Sequence, residues 1–196
     1  MSEEHRTQTR GLQNDDIRSC LGNLGKERDI VLLYTDKEQS QKFSAGIIKE
    51  IFDDAVIIGH CLPNGRYDGY FVKRIDDIYR IEAGSKYANK IQVLSLINGA
   101  KHDPLTRINE DAFTTVLYYA YEAKRVVTIE LFDSGNNDVS GLVERINEGY
   151  CTISMLNEYG ESDGVSTFAI KNISHLSCDG DDENVIQQLH QKLNTE

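Results

Sequence analysis

The chain has no tryptophan, only two prolines and only four cysteines among 196 residues. Scarce proline beside 15 glycines excludes collagen-like and proline-rich architectures, and 39% apolar residues are enough to bury a core. Long hydrophobic runs are missing too. Stretches such as Ile30-Val31-Leu32-Leu33-Tyr34 fall far short of the roughly 20 residues a spanning helix needs, so no membrane contact is expected. The opening Met1-Ser2-Glu3-Glu4-His5 has no apolar segment of the kind a secretory signal carries, which points to a cytoplasmic location. Cys20, Cys61, Cys151 and Cys178 are scattered without a CxxC spacing. They are expected to be buried small hydrophobes rather than disulfide partners.

Positive charge is also in short supply, with 21 Lys and Arg against 32 Asp and Glu and a formal net charge of -11. Nucleic-acid affinity depends largely on Lys and Arg displacing counterions, so binding to DNA is not expected and RNA would need a local basic patch.

What is present is self-similarity. An ungapped shift of 95 residues places Gly46 on Gly141, Ile58 on Ile153, Gly65 on Gly160, Asp68-Gly69 on Asp163-Gly164, and Asn89, Ile91, Gln92, Leu94 on Asn184, Ile186, Gln187, Leu189. Positions 14 to 94 hold 16 identities in 81 pairs, where composition alone gives on the order of 5. Conserved character at Ile47/Leu142 and Ile48/Val143 extends the pattern to the core. Two copies of one fold are therefore expected.

Within the first copy, Ile17, Cys20, Leu21 and Leu24 form a helical apolar stripe behind Asn14 as N-cap, and Asn109 is the equivalent cap in the second copy. The run from Phe113 to Tyr121 is apolar around more of its circumference, as expected of a helix sandwiched between the copies. Five strands are predicted at 30–35, 43–52, 55–62, 66–74 and 78–82, with Gly46 placing the bend that closes a small barrel. Asp68-Gly69 and Asp163-Gly164 read as turn or bulge dipeptides. Helices from Tyr87 to Leu96 and from Asp182 to Leu193 end the copies. The fold class read from this pattern is mainly β with α: two tandem SH3-like five-stranded small barrels, each with an N-terminal and a C-terminal helix. The boundaries are a flexible N-terminus over 1–13, a first unit over 14–97, a linker over 98–104 with Gly99 as C-cap and Pro104 as helix starter, and a second unit over 105–196.

Val31 to Tyr34, Gly46 to Asp53, Val56 to Ile58 and the run Phe71-Val72-Lys73-Arg74 leading to Ile78 and Ile81 together resemble the Sm-like small β-barrel, more closely its bacterial RNA-chaperone branch. The resemblance covers roughly residues 30 to 82 and, more faintly, 125 to 177. Other SH3-like barrels share the bend-making glycine. It implies ring assembly and single-stranded RNA binding through loops. The second copy departs from this, since Lys73 and Arg74 become Phe168 and Ala169.

Lys73, Arg74 and Arg80 with Tyr70, Phe71 and Tyr79 form the one basic and aromatic cluster, a combination able to stack a base and neutralise a phosphate, though Asp68, Asp76 and Asp77 share the stretch. The possible RNA-binding residues are therefore Tyr70, Lys73, Arg74 and Arg80. His175, Cys178 and Cys151 lack a zinc spacing and are expected to be a strand-end histidine and two core thiols. His60 and Cys61 point to opposite faces of a strand and make no catalytic pair. The acidic run Asp179, Asp181, Asp182, Glu183 suits a helix N-terminus better than calcium. No phosphate loop, paired catalytic carboxylates or triad is recognisable, so no enzyme activity, cofactor or metal is expected. The expectation is a non-enzymatic interaction protein with a protein partner or self-association, and with RNA binding by the first barrel as the alternative.

Overall fold

A computed structural model of the chain describes residues 15–24, 29–99, 101, 104–106, 111–132 and 134–195. The expected flexible segment 1–13 and the caps Asn14 and Asn109 lie outside them. Helix α1 covers residues 15–24. It is followed by β1 (Ile30–Tyr34), β2 (Ser44–Ile51), β3 (Ala55–Cys61), β4 (Tyr67–Arg74), a 3-10 turn (Ile75–Asp77), β5 (Arg80–Ala83) and α2 (Lys86–Asn98). The second half runs α3 (Ala112–Ala123), β6 (Val126–Leu131), β7 (Val139–Asn147), β8 (Tyr150–Leu156), β9 (Ser162–Ala169), a 3-10 turn (Ile170–Asn172), β10 (Ile173–Cys178) and α4 (Asp181–Leu193).

The expectation of two separate five-stranded barrels is overturned. The ten strands form a single antiparallel open sheet in the order β5-β1-β2-β3-β4-β10-β6-β7-β8-β9. The physical reason lies at β4. An outer strand carries a row of unpaired N–H and C=O groups, and β10 takes up that row, so β4 is an interior strand rather than part of a closed cylinder. By packing, the chain divides into one unit of residues 1–66 and 73–100 and another of 67–72 and 101–196, so most of β4 belongs with the second half. The predicted mainly-β composition with helices stands.

In the first unit every side chain of β1 is buried. Ile30, Leu32 and Tyr34 pack with Ala45, Cys61, Ala88 and Ile91, the last two from α2. Ser85 caps α2 by accepting a hydrogen bond from Ala88 N, and Gly99 ends it in the left-handed region at φ 62°. Gln92 reaches from α2 to accept from the backbone N–H of Ile30 at 3.0 Å. A Cβ on Gly46 would collide with the carbonyl of Gly59, and a bulge between Ile48 and Glu50 bends the pairing of β2 with β3.

In the second unit α3 buries Phe113, Thr114, Thr115, Val116 and Leu117 and packs on β6, β7 and β10. Its cap is Asp111, whose carboxylate accepts from Phe113 N and Thr114 N, and not Asn109. Pro104 starts no helix: residues 104–106 are irregular and α3 begins at Ala112. Gln187 on α4 accepts from Val126 N at 3.2 Å. The β7–β8 pairing carries a bulge between Val143 and Arg145.

Candidate functional site

The four predicted RNA-contacting residues fall in different environments. Tyr70 is 1% exposed in the second unit, its ring edge-on to Tyr119 at 5.5 Å and to Tyr67 at 6.3 Å, so it offers no face to a base. Lys73 and Arg74 end β4 and Arg80 begins β5, all in the first unit. The Arg74 guanidinium pairs with Asp54 at 3.0 Å. Arg80 pairs with Glu82 at 2.8 Å and lies over the Tyr34 ring, 4.4 Å from its centroid. Hydrogen bonds from Ser85 first, then from Tyr34, hold the Glu82 carboxyl below its usual range, with Arg80 adding to the effect. Arg74 and Arg80 thus each face a carboxylate.

Cys61, Cys151 and Cys178 are buried, but Cys20 is exposed on α1, contrary to the expectation of four core thiols. Among the described residues of that helix only Leu21 is fully buried. Burial pushes the Cys151 thiol up to about 12 and raises that of Cys178 as well. His175 lies within β10, its Nδ1 3.0 Å from the carbonyl oxygen of Val72 and its ring edge-on to Phe71 at 5.2 Å. Among the described residues no three His, Cys, Asp or Glu side chains are gathered so as to hold a metal ion. Asp181, Asp182 and Glu183 occupy the first turn of α4, where Glu183 accepts from Gly180 N at 3.0 Å and from the Ser177 hydroxyl at 2.6 Å.

The most specific geometry lies where residues 67–72 of β4 meet β10 inside the second unit. Gly69 is in the left-handed region at φ 75°, and a Cβ there would collide with the carbonyl oxygen of Cys178. The Asp68 carboxylate accepts from Asp181 N at 2.8 Å, at the start of α4. The Tyr67 hydroxyl donates to Asp179 at 3.0 Å, and Arg125 Nε lies 3.5 Å from the other oxygen of the same carboxylate. Asp179 is itself at φ 64° and buried. Asp68-Gly69, read from sequence as a turn or bulge, therefore lies inside a strand and shapes its approach to a neighbour. The roles of Tyr67 and Asp179 carry no local sequence signal, since 112 residues separate them.

Strands β5 and β9 end the strand order, each with one neighbour among the described residues. On β9, Ser154 pairs with Val165 and Leu156 with Ser162, so Asp163 and Gly164 together oppose Met155 as a bulge. Gly164 has φ 91°, yet the nearest atom to a Cβ there would be Met155 Cε at 3.7 Å, and Val165 is 59% exposed. On β5, Arg80 is exposed. No helix among the described residues is long and apolar enough to cross a membrane. No family model, curated protein or solved structure matches the chain.

Proposed function

We propose that this chain is a non-enzymatic interaction protein of the cytoplasm that associates with other proteins by adding strands to its sheet edges, and that it arose by internal duplication. The observation that carries the reading is the sheet order, in which β5 and β9 each have one neighbour among the described residues. An open edge of backbone donors and acceptors is a template for a strand from another chain. Apolar side chains left in water on α2, Leu96 and Ile97, both 73% exposed, add surface of the kind that favours protein contact. Four free cysteines suit a reducing compartment.

Duplication is supported by devices that recur 95 residues apart. Gln92 and Gln187 lie at that interval and each accepts from the first residue of a strand, Ile30 and Val126, which are themselves 96 residues apart. Bulges recur at 48/50 and 143/145, and the α2 and α4 ranges are offset by the same interval. Kinship with the Sm-like strand pattern of residues 30 to 82 is part of this proposal at the level of the single strand unit.

The test is capture from an extract of the source cells with the full chain and with the double edge variant Val165→Lys, Arg80→Glu. Protein retained by the first and released by the second is the expected result. If the wild-type chain retains no protein in an edge-dependent way and is monomeric, the reading fails. Tight binding of short single-stranded uridine or adenine oligomers, lost in Lys73→Ala with Arg74→Ala, would replace it by RNA binding.

A further inference from the structure

We infer that Asn98, the last residue of α2, is a site of spontaneous modification: its carboxamide closes on the backbone nitrogen of Gly99, ammonia leaves, and the product unties α2 from the turn between β3 and β4.

The chain has two Asn-Gly dipeptides, Asn64-Gly65 and Asn98-Gly99. A glycine after asparagine leaves the main-chain nitrogen unhindered and gives the backbone the freedom that ring closure needs. Both dipeptides belong to the first unit, and they touch. The Asn98 carboxamide donates to the carbonyl oxygen of Asn64 at 2.8 Å. The second half has no counterpart, because a shift of 95 residues puts Tyr159 and Leu193 at the two asparagine positions.

The fold holds the two dipeptides differently. Gly65 is buried, and a Cβ there would strike Leu94 and Ser95 of α2. Its N–H donates to Leu62 O at 2.8 Å, Leu62 N donates to Arg66 O at 3.0 Å, and the Asn64 carboxamide oxygen accepts from Arg66 N at 3.0 Å. Nucleophile and carboxamide are thus both fixed, in a turn between two strands. At the other dipeptide, Leu96, Ile97, Asn98 and Gly99 are all exposed. The Gly99 N–H donates to Leu96 O at 3.2 Å, within the last turn of the helix itself. Terminal turns of helices open at low free energy. Fraying one turn of α2 therefore frees the Gly99 nitrogen and the Asn98 side chain together, whereas freeing Asn64 requires the β3–β4 turn to open as well.

In the reaction the Gly99 nitrogen bonds to Cγ of Asn98 and the Cγ–Nδ2 bond breaks. The Gly99 amide proton departs with the side-chain nitrogen as ammonia. Water then opens the cyclic imide at either carbonyl, leaving aspartate or its isomer whose main chain runs through Cβ and Cγ. A carboxylate has no donor for the Asn64 carbonyl, and it puts negative charge at the C-terminus of α2, where the helix dipole is already negative. The isomer also lengthens the main chain at the cap and moves Gly99 N away from Leu96 O.

Ageing of the full chain at mildly alkaline pH, followed by trypsin digestion and mass spectrometry, tests this. Cleavage after Lys and Arg separates the dipeptides into peptides 50–66 and 91–101, each with a single asparagine. In the folded chain Asn98 is expected to convert on the order of tenfold faster than Asn64, whose turn has further hydrogen bonds to open. In urea the two should convert alike. Hydrogen exchange at Gly99 N is expected to be roughly fivefold faster in the aged protein and in Asn98→Asp than in fresh wild type, for the loss of one hydrogen bond. Circular dichroism checks that Asn98→Asp folds, and the aged wild type carries the exchange measurement if it does not. Conversion at Asn98 no faster than at Asn64 in the folded chain overturns the inference. Unchanged exchange at Gly99 in the converted protein overturns the untying of α2.

Discussion

The Tyr67 hydroxyl donates a hydrogen bond to the buried carboxylate of Asp179 at 3.0 Å, tying the first residue of β4 to the residue that links β10 to α4. Burial, and then the negative charge of Asp179, push the Tyr67 phenol well above its ordinary value of 10.0. Folded Tyr67 therefore keeps its proton at pH values where unfolded Tyr67 loses it. The stability this contributes is fully present below about pH 10 and declines as pH rises further, through the raised folded value. Tyr67→Phe is expected to cost about 1–3 kcal/mol at neutral pH, because Asp179 loses a donor in a buried setting. Urea denaturation of both proteins checks this. The wild-type advantage should shrink between about pH 10 and pH 11, and an advantage that grows with pH would contradict the assignment.

Gly69 and Gly164 share a left-handed backbone but not surroundings. Replacing either by alanine costs roughly 1–2 kcal/mol of backbone strain. Gly69→Ala in addition forces a methyl group into the Cys178 carbonyl, which adds about 1–3 kcal/mol of overpacking. In the monomeric chain, chemical denaturation should therefore rank Gly69→Ala as clearly less stable than Gly164→Ala. Equal losses would mean that β4 does not lie against β10 as described.

The four thiols differ in reach. Cys20 is exposed, whereas Cys61, Cys151 and Cys178 are buried, and burial raises the thiols of Cys151 and Cys178. A colorimetric thiol reagent at neutral pH should titrate one cysteine rapidly in the folded protein and all four in denaturant. Cys20→Ser should abolish the fast phase. A fast phase that survives this substitution would place another thiol at the surface.

Much of the local structure was legible in the residues. The expected strands at 30–35, 43–52, 55–62, 66–74 and 78–82 lie over β1 to β5, because alternating apolar side chains and polar turn residues act over a few positions. The helices ending each half begin and end within two residues of expectation, marked by Gly99 and the acidic first turn of α4. The candidate RNA residues fared differently. Proximity in sequence placed Tyr70 beside Lys73 and Arg74, but Tyr70 is buried in the second unit and Arg74 faces Asp54. Sequence spacing records nearness along a strand, and neither burial nor ion pairing follows from it.

Backbone periodicity, capping and turn chemistry were determined by the chain itself, since each depends on residues a few positions apart. The neighbour of β4 was decided only by the tertiary structure. Edge N–H and C=O groups are alike in every strand, so nothing local states whether β4 closes a barrel or takes β10 beside it; the Gly69 approach and the Tyr67–Asp179 hydrogen bond, more than a hundred residues apart in the chain, select β10.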